Sequence, residues 1–227
     1  MKISIVIPVY NEKSTIHEVI KKVSALDFEK EIIVIDDCST DGTREILELM
    51  EVPGLKRAFL PKNSGKGAAL RKGFEMVSGD IVAIQDADME YDPSEIKLLA
   101  EPIERDVADV VYGSRLSGGK PQRVYMFWHL VGNKFLTLAA NILYNTTLSD
   151  METCYKVFRS AILKKIKLKS DRFEIEVELT AKFCKNKYRI YEIPISYYGR
   201  TYSEGKKITW KDGFHALWAL IKYRFVD

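Results

Sequence analysis

Short apolar runs alternate with amphipathic stretches through the first half of this chain, and few folds accept that pattern. Residues 3–7 (Ile-Ser-Ile-Val-Ile), 32–35 (Ile-Ile-Val-Ile), 81–84 (Ile-Val-Ala-Ile) and 108–112 are of strand length and almost wholly apolar. They read as strands buried on both faces, the first stopped by Pro8. A further strand is expected at 56–60. Between them, residues 15–25, 43–50 and 67–77 have helical periodicity, Thr15-x-x-Glu18 offers a capping box, and Asp92-Pro93-Ser94-Glu95 marks another helix start with Asp92 as N-cap. Strand and helix in strict turn predict a mostly parallel sheet with helices on both faces, a Rossmann-like α/β domain. At 227 residues a single domain, 1–227, accommodates it, with residues 1–115 as one functional half and 116–227 as the other.

In such sheets ligands bind beyond the carboxyl ends of the strands. Tyr10-Asn11-Glu12, Asp36-Asp37, Asp86-Ala87-Asp88 and Ser114-Arg115 each follow an apolar run, so all four are expected at one edge. Asp86 and Asp88 stand at i and i+2, which in extended chain projects both carboxylates to one side, with the small Ala87 between them. Magnesium typically takes one or two protein carboxylates and fills its other positions with water and phosphate oxygens, so the spacing fits a metal–diphosphate site. A lone D-x-D is also an ordinary solvated turn; the neighbouring polar strand ends favour the metal reading. Gly65-Lys66-Gly67 lacks the full Walker spacing and the Ser or Thr after its Lys, which excludes nucleoside-triphosphate hydrolysis of that type. Its glycines are expected to turn the chain closely into a helix beside the site.

A net charge of +3 is too small to point to nucleic acid. Cys38, Cys154 and Cys184 have no metal-ligand spacing and read as reduced thiols of a cytosolic protein. The opening residues do not form a signal peptide, and the longest candidate span, residues 124–148, is interrupted by His129, Asn133, Lys134 and Asn141. His17, His129 and His215 have no partner spacing and read as structural. In the second half, residues 124–144 and 173–184 look helical, and 152–158, 188–194 and 195–198 extended. Glu174, Glu176 and Glu178 form a polar face, one of which could equally approach the site or solvate the helix. Residues 209–226 form an amphipathic carboxy-terminal helix carrying Trp210, Phe214, Leu217, Trp218, Ile221 and Phe225. That stripe is either core or an interfacial face, with Lys206, Lys207, Lys211, Lys222 and Arg224 meeting anionic headgroups.

Five motifs, Ile7-Pro8-Val9-Tyr10-Asn11-Glu12, residues 36–43 (DDCSTDGT), Asn63-x-Gly65-Lys66-Gly67-x-Ala69, residues 86–93 (DADMEYDP) and Gly113-Ser114-Arg115, occur in this order. Together they resemble the family-two inverting glycosyltransferases of GT-A fold, over nearly the whole chain. Residues 149–159 (SDMETCYKVFR) and Arg200-x-x-Ser203-Glu204-Gly205-Lys206 make it similar to the polyprenyl-phosphate sugar transferase branch, which includes dolichyl-phosphate mannose and glucose synthases.

The resemblance implies a nucleotide-diphosphate sugar donor of the GDP-mannose or UDP-glucose type, a polyprenyl phosphate acceptor, and attachment to the cytoplasmic face of a membrane; assembly as a homo-oligomer is compatible with it. It implies that Pro8, Tyr10, Glu12 and Asp37 line the nucleotide pocket with Lys66 and Ala87, Asp37 hydrogen-bonding the base. Asp86 and Asp88 would hold Mg2+ or Mn2+. Arg115, Arg200 and Lys206 would wall the phosphates. Glu90 stands where many relatives have Gln, which leaves its role between metal and sugar open. Asp88, Arg115 and Asp150 are the expected catalytic group. Asp150 would be a general base toward a hydroxyl acceptor. A phosphate monoester, with a second pKa of about 6, is already mostly dianionic near neutral pH and needs none. Asp150 is therefore expected to position the acceptor or a basic residue. The rival readings are transfer to a glycan or lipid hydroxyl with Asp150 as base, and a non-catalytic nucleotide-sugar-binding module.

Overall fold

The computed structural model describes residues 1–124, 126–205 and 210–226. Among the described residues, seven strands form one sheet in the order β3-β2-β1-β4-β6-β5-β7, and seven α-helices accompany them. The strands are β1 (Ile3–Val9), β2 (Lys30–Asp36), β3 (Leu55–Phe59), β4 (Ile81–Ile84), β5 (Val110–Ser114), β6 (Lys156–Arg159) and β7 (Ile190–Pro194). All pair in parallel except β6, which runs antiparallel between β4 and β5. The helices are α1 (Ile16–Ser24), α2 (Thr43–Leu49), α3 (Lys66–Glu75), α4 (Ile96–Glu104), α5 (Phe127–Tyr144), α6 (Glu174–Lys185) and α7 (Trp210–Phe225).

The apolar runs are continuous because both faces of the sheet are covered. Ile3, Ile5, Ile7 and Val9 join Val34, Ala83 and the inner residues of α1 and α4 in one core. Val6 joins Ile33, Ile35, Val82 and residues of α3, α5, α6 and α7 in the other. β1 is bonded to β2 on one side and β4 on the other, so the chain reverses its direction of travel across the sheet there. That reversal opens a crevice at the carboxyl ends of β1, β2 and β4.

Three local expectations are corrected. Pro8 does not stop β1. The Val6 carbonyl accepts from Gln85 N and the Val9 carbonyl from Asp37 N, so alternate residues face β4 and β2. Pro8 faces the β4 side, past the last β1–β4 pair at Val6 and Ile84, where no ladder donor is missed. The Thr15–Glu18 capping box does not form; Thr15 Oγ1 instead donates to the Glu12 carboxylate at 3.0 Å. Residues 195–198 are not a strand and contribute one bridge, Gln122 to Tyr197.

Asp92 caps a 3-10 turn, Pro93–Glu95, that precedes α4, its carboxylate accepting from Ser94 N, and Glu95 turns away to accept from Ser196. The carboxy-terminal helix is core on one face only. Ala216, Ala219, Leu220 and Tyr223 of α7 pack inward, whereas Phe214, Trp218, Ile221 and Phe225 are exposed.

Candidate active site

The loops after β1 and β2 are tied to one another. Asn11, in left-handed backbone (φ 51°), donates its amide to Ser39 Oγ and accepts from Thr40 N, while Glu12 N donates to Thr43 Oγ1. This ties the loop carrying Tyr10 and Glu12, which follows Pro8 at the carboxyl end of β1, to the loop carrying Asp37. The Asp37 carboxylate accepts from the amides of Ser64 and Gly65, both at 2.7 Å, and so fixes the loop entering α3; burial pushes its pKa upward. Gly65 (φ 98°) and Gly67 permit the close turn foreseen from the sequence. A Cβ on Gly67 would stand 2.3 Å from the Ser170 carbonyl oxygen, so α3 starts hard against the segment before α6.

Beyond β4 the chain turns at residues 87–88, with Asp86 and Asp88 on either side of Ala87 and near enough for the Asp86 charge to act on Asp88. They take different partners. Asp86 pairs with Lys66 Nζ at 2.7 Å, and that ammonium also lies 3.2 Å from Glu176 on α6. Asp88 Oδ2 lies 3.2 Å from Arg200 Nη2, and its Oδ1 accepts from Glu90 N. Ala87 is packed in the core beneath the turn. Glu90 clamps the 197–200 segment, accepting from Tyr197 OH at 2.7 Å and Arg200 N at 2.6 Å. Glu12 receives both terminal nitrogens of Arg200 at 3.0 Å. The pKa of Asp88 is pushed up to about 7 by burial and by the Asp86 and Glu90 charges, against the pull of Arg200. The pocket therefore holds more negative charge than its own cations balance.

Arg115, after β5, is bound by a fully buried Asp150. Its backbone N, Nε and Nη2 all donate to that carboxylate, at 3.0, 2.7 and 2.7 Å. Asn133 of α5 adds a fourth donor at 3.1 Å, and Glu192 of β7 holds the backbone of Ser149 and Asp150. Burial alone would raise the Asp150 pKa, but Arg115 and the donated hydrogen bonds outweigh it and hold the carboxyl below its usual range. Asp150 is thus a weak proton acceptor and a strong positioning group. The Arg115 guanidinium lies 5.1 Å from the Tyr197 ring centroid, which connects it to the segment Glu90 clamps.

Beneath the site, fully buried Lys156 of β6 pairs with Glu176 at 2.7 Å and caps the Met151 and Thr153 carbonyls. Of the three helical glutamates, Glu176 reaches the site through Lys66, and Glu178 binds the amides of Lys169 and Ser170. Sequence reasoning missed Lys156, Asn133, Glu192 and Tyr197. Only Lys156 carried a signal, a charge set within the run Tyr155-Lys156-Val157-Phe158. Of the expected cationic wall, Arg115 and Arg200 are engaged by carboxylates, and Lys206 lies outside the described residues.

No group of three or more His, Cys, Asp or Glu among the described residues is arranged as a ready metal cage. The set Asp86, Asp88 and Glu90 is nonetheless all oxygen and carries surplus negative charge. That donor chemistry suits Mg2+ or Mn2+, which need few protein ligands when phosphate supplies the rest.

The sequence profile of glycosyl transferase family 2 matches residues 4–167. The chain is 29% identical over 212 residues to a dolichol-phosphate mannosyltransferase of Pyrococcus furiosus, covering 91% of this chain and 59% of that one. It is also 29% identical over 214 residues to an undecaprenyl-phosphate 4-deoxy-4-formamido-L-arabinose transferase of Pseudomonas fluorescens, covering 90% and 59%. The chain thus spans less than two thirds of the length of these relatives. A solved glucosyl-3-phosphoglycerate synthase of Mycobacterium tuberculosis superposes over 100% of this chain and 79% of its own, with a TM-score of 0.75 at 20% identity, a likeness of fold.

Proposed function

The chain belongs to glycosyl transferase family 2, and we propose that it transfers one hexose from a nucleotide-diphosphate sugar to a polyprenyl phosphate with inversion at the anomeric carbon. The observation that carries this reading is the state of Asp150. A hydroxyl acceptor needs a group to take its proton, and Asp150, the carboxylate the family resemblance suggests for that task, accepts four hydrogen bonds and has a lowered pKa. A phosphate acceptor brings its own charge and needs no base. The names of the relatives from Pyrococcus and Pseudomonas, each a transferase of a polyprenyl or dolichol phosphate type, point the same way.

In this reading a phosphate oxygen of the acceptor attacks the anomeric carbon as the bond to the nucleotide's β-phosphate breaks on the opposite face. The nucleoside diphosphate leaves with the electron pair, and an α-linked donor yields a β-linked lipid-phosphate sugar. Pro8, Tyr10, Glu12 and Asp37 line the base and ribose side. Arg115, held in one orientation by Asp150, presents its cationic edge to the acceptor phosphate. Arg200 serves the donor diphosphate. Asp86 and Asp88, with Glu90 beside them, would hold Mg2+ or Mn2+, which when bound offsets the charge developing on the departing diphosphate. The solved Mycobacterium synthase was crystallised with Mn2+ and UDP, which supports the metal part of the reading.

A polyprenyl acceptor requires a membrane-facing surface. Trp128, Val131, Phe135, Leu138 and Ile142 of α5 are exposed, as are Phe214, Trp218, Ile221 and Phe225 of α7, with Trp128 at 79% and Trp218 at 67%. The two helices pack together, and exposed Lys222 and Arg224 accompany the aromatics. No helix among the described residues is long and apolar enough to cross a membrane. We infer that this face rests on the cytoplasmic leaflet, the apolar side chains entering the acyl boundary.

The test is incubation with radiolabelled GDP-mannose, UDP-glucose or UDP-N-acetylglucosamine, a polyprenyl phosphate in detergent, and Mg2+ or Mn2+. Label entering the organic phase with one donor, abolished by chelator and by Asp88→Ala, supports the reading and names the sugar. Tight donor binding with no product from any acceptor would replace it with a binding module.

A further inference from the structure

Arg200 and Arg115 both sit at the carboxyl edge of the sheet, yet they are bound in different ways. Arg115 directs its Nε and Nη2 donors to a single carboxylate in a paired fork. Arg200 is shared among three carboxylates from separate parts of the chain. It makes two 3.0 Å bonds to Glu12, one of 3.2 Å to Asp88, and a 3.9 Å approach of Nε to Glu90. Its Nε is buried without a hydrogen-bond partner among the described residues. Glu12 and Glu90 are themselves buried, at 6% and 8% exposure.

Buried carboxylates this close require a cation, and Arg200 is the one the chain supplies. Asp88 is also one of the carboxylates that would hold a divalent cation, and two cations sharing one carboxylate repel. Arg200 lies in a connecting segment between β7 and α7, not in either element, and its orphaned Nε leaves it less tightly committed than Arg115.

We propose that Arg200 is a resident counter-cation that holds Glu12, Asp88 and Glu90 together until a divalent cation competes for Asp88, whereupon the guanidinium passes to the donor's diphosphate. The inference rests on the reading of this edge as a metal–diphosphate site. It makes binding of metal and diphosphate mutually reinforcing. Metal alone must displace a cation, and diphosphate gives that cation a new partner.

The test is a titration of the full chain with Mn2+, following the free-ion electron paramagnetic resonance signal, with and without nucleoside diphosphate. Arg200→Gln is expected to bind Mn2+ alone at least about tenfold more tightly than wild type, because the competitor is gone. The factor by which nucleoside diphosphate tightens Mn2+ binding is expected to shrink about as much. Arg200→Lys keeps a charge beside Glu12 and covers the case in which Arg200→Gln does not fold. Lacking the planar fork, it should bind Mn2+ alone about threefold more tightly than wild type. Mn2+ affinity unchanged or weakened in the variant that folds overturns the proposal while leaving the metal site standing. Absence of Mn2+ binding in every form, with and without nucleotide, overturns both.

Discussion

Replacing Asp150 with Asn separates a positioning carboxylate from a catalytic base. The carboxylate is fully buried and bonded to Arg115 through three nitrogens, so the substitution leaves a guanidinium facing a neutral amide. Removing one partner of a buried ion pair costs roughly 3–5 kcal/mol, and Asn retains one acceptor, which places the loss at about 3 kcal/mol. For a domain of this size that lowers Tm by roughly 6–12 °C. Turnover is to be assayed well below both melting temperatures, with a polyprenyl phosphate acceptor, and compared with Asp88→Asn. The loss for Asp150→Asn should be at least about tenfold smaller, since only the orientation of Arg115 is disturbed. The rate of both wild type and Asp150→Asn should rise with pH through about 6, where the acceptor phosphate becomes dianionic. A carboxyl held below its usual range cannot produce a limb there. Disappearance of that limb in Asp150→Asn, or a loss equal to that of Asp88→Asn, would make Asp150 the base.

Other sites give further tests. Gly67→Ala places a Cβ against the Ser170 carbonyl oxygen and should destabilise by about 1–3 kcal/mol in urea unfolding, well beyond the loss at the neighbouring Ala68→Ser. Lys66→Met leaves Asp86 and Glu176 buried without their shared cation, and should lower Tm at pH 7 by more than about 5 °C, an effect that Mn2+ partly reverses. Burial works to raise the Glu31 pKa, but Lys56, Ser4 and Ser78 outweigh it and depress it. Its stabilisation is therefore full above its ordinary value of 4.5 and fades as pH falls below. The stability deficit of Glu31→Gln, measured by denaturant titration, should be largest near pH 7 and shrink below about pH 4.5. Trp218→Ser with Phe214→Ser should abolish co-sedimentation with anionic liposomes at low salt without lowering Tm, because both side chains are exposed.

The alternation of apolar strands with helices was legible because a sheet buried on both faces leaves little choice of residue, as in Ile32-Ile33-Val34-Ile35. The same pattern brought Glu12, Asp37, Asp86, Asp88 and Arg115 to one edge, since topology alone decides which strand ends are neighbours. Pairings within that edge were not legible. Asp86 to Lys66 and Asp88 to Arg200 depend on a turn after β4 that i, i+2 spacing does not reveal. Lys156, Glu176, Asn133 and Glu192 act from β6, α6, α5 and β7, the half where alternation breaks down. The antiparallel insertion of β6 between β4 and β5 is what carries Asp150 to Arg115. Pro8 misled because a proline ends a strand only where its missing donor faces a partner.

The most direct test of a phosphate acceptor compares polyprenyl phosphate with the dephosphorylated polyprenol under identical conditions, using the labelled donor that the protein accepts and Asp150→Asn alongside wild type. Label is expected in the lipid phosphate product alone, released by mild acid, with substantial product from Asp150→Asn. Transfer to the polyprenol hydroxyl, lost entirely in Asp150→Asn, would contradict it and establish Asp150 as the base of a hydroxyl-directed transferase.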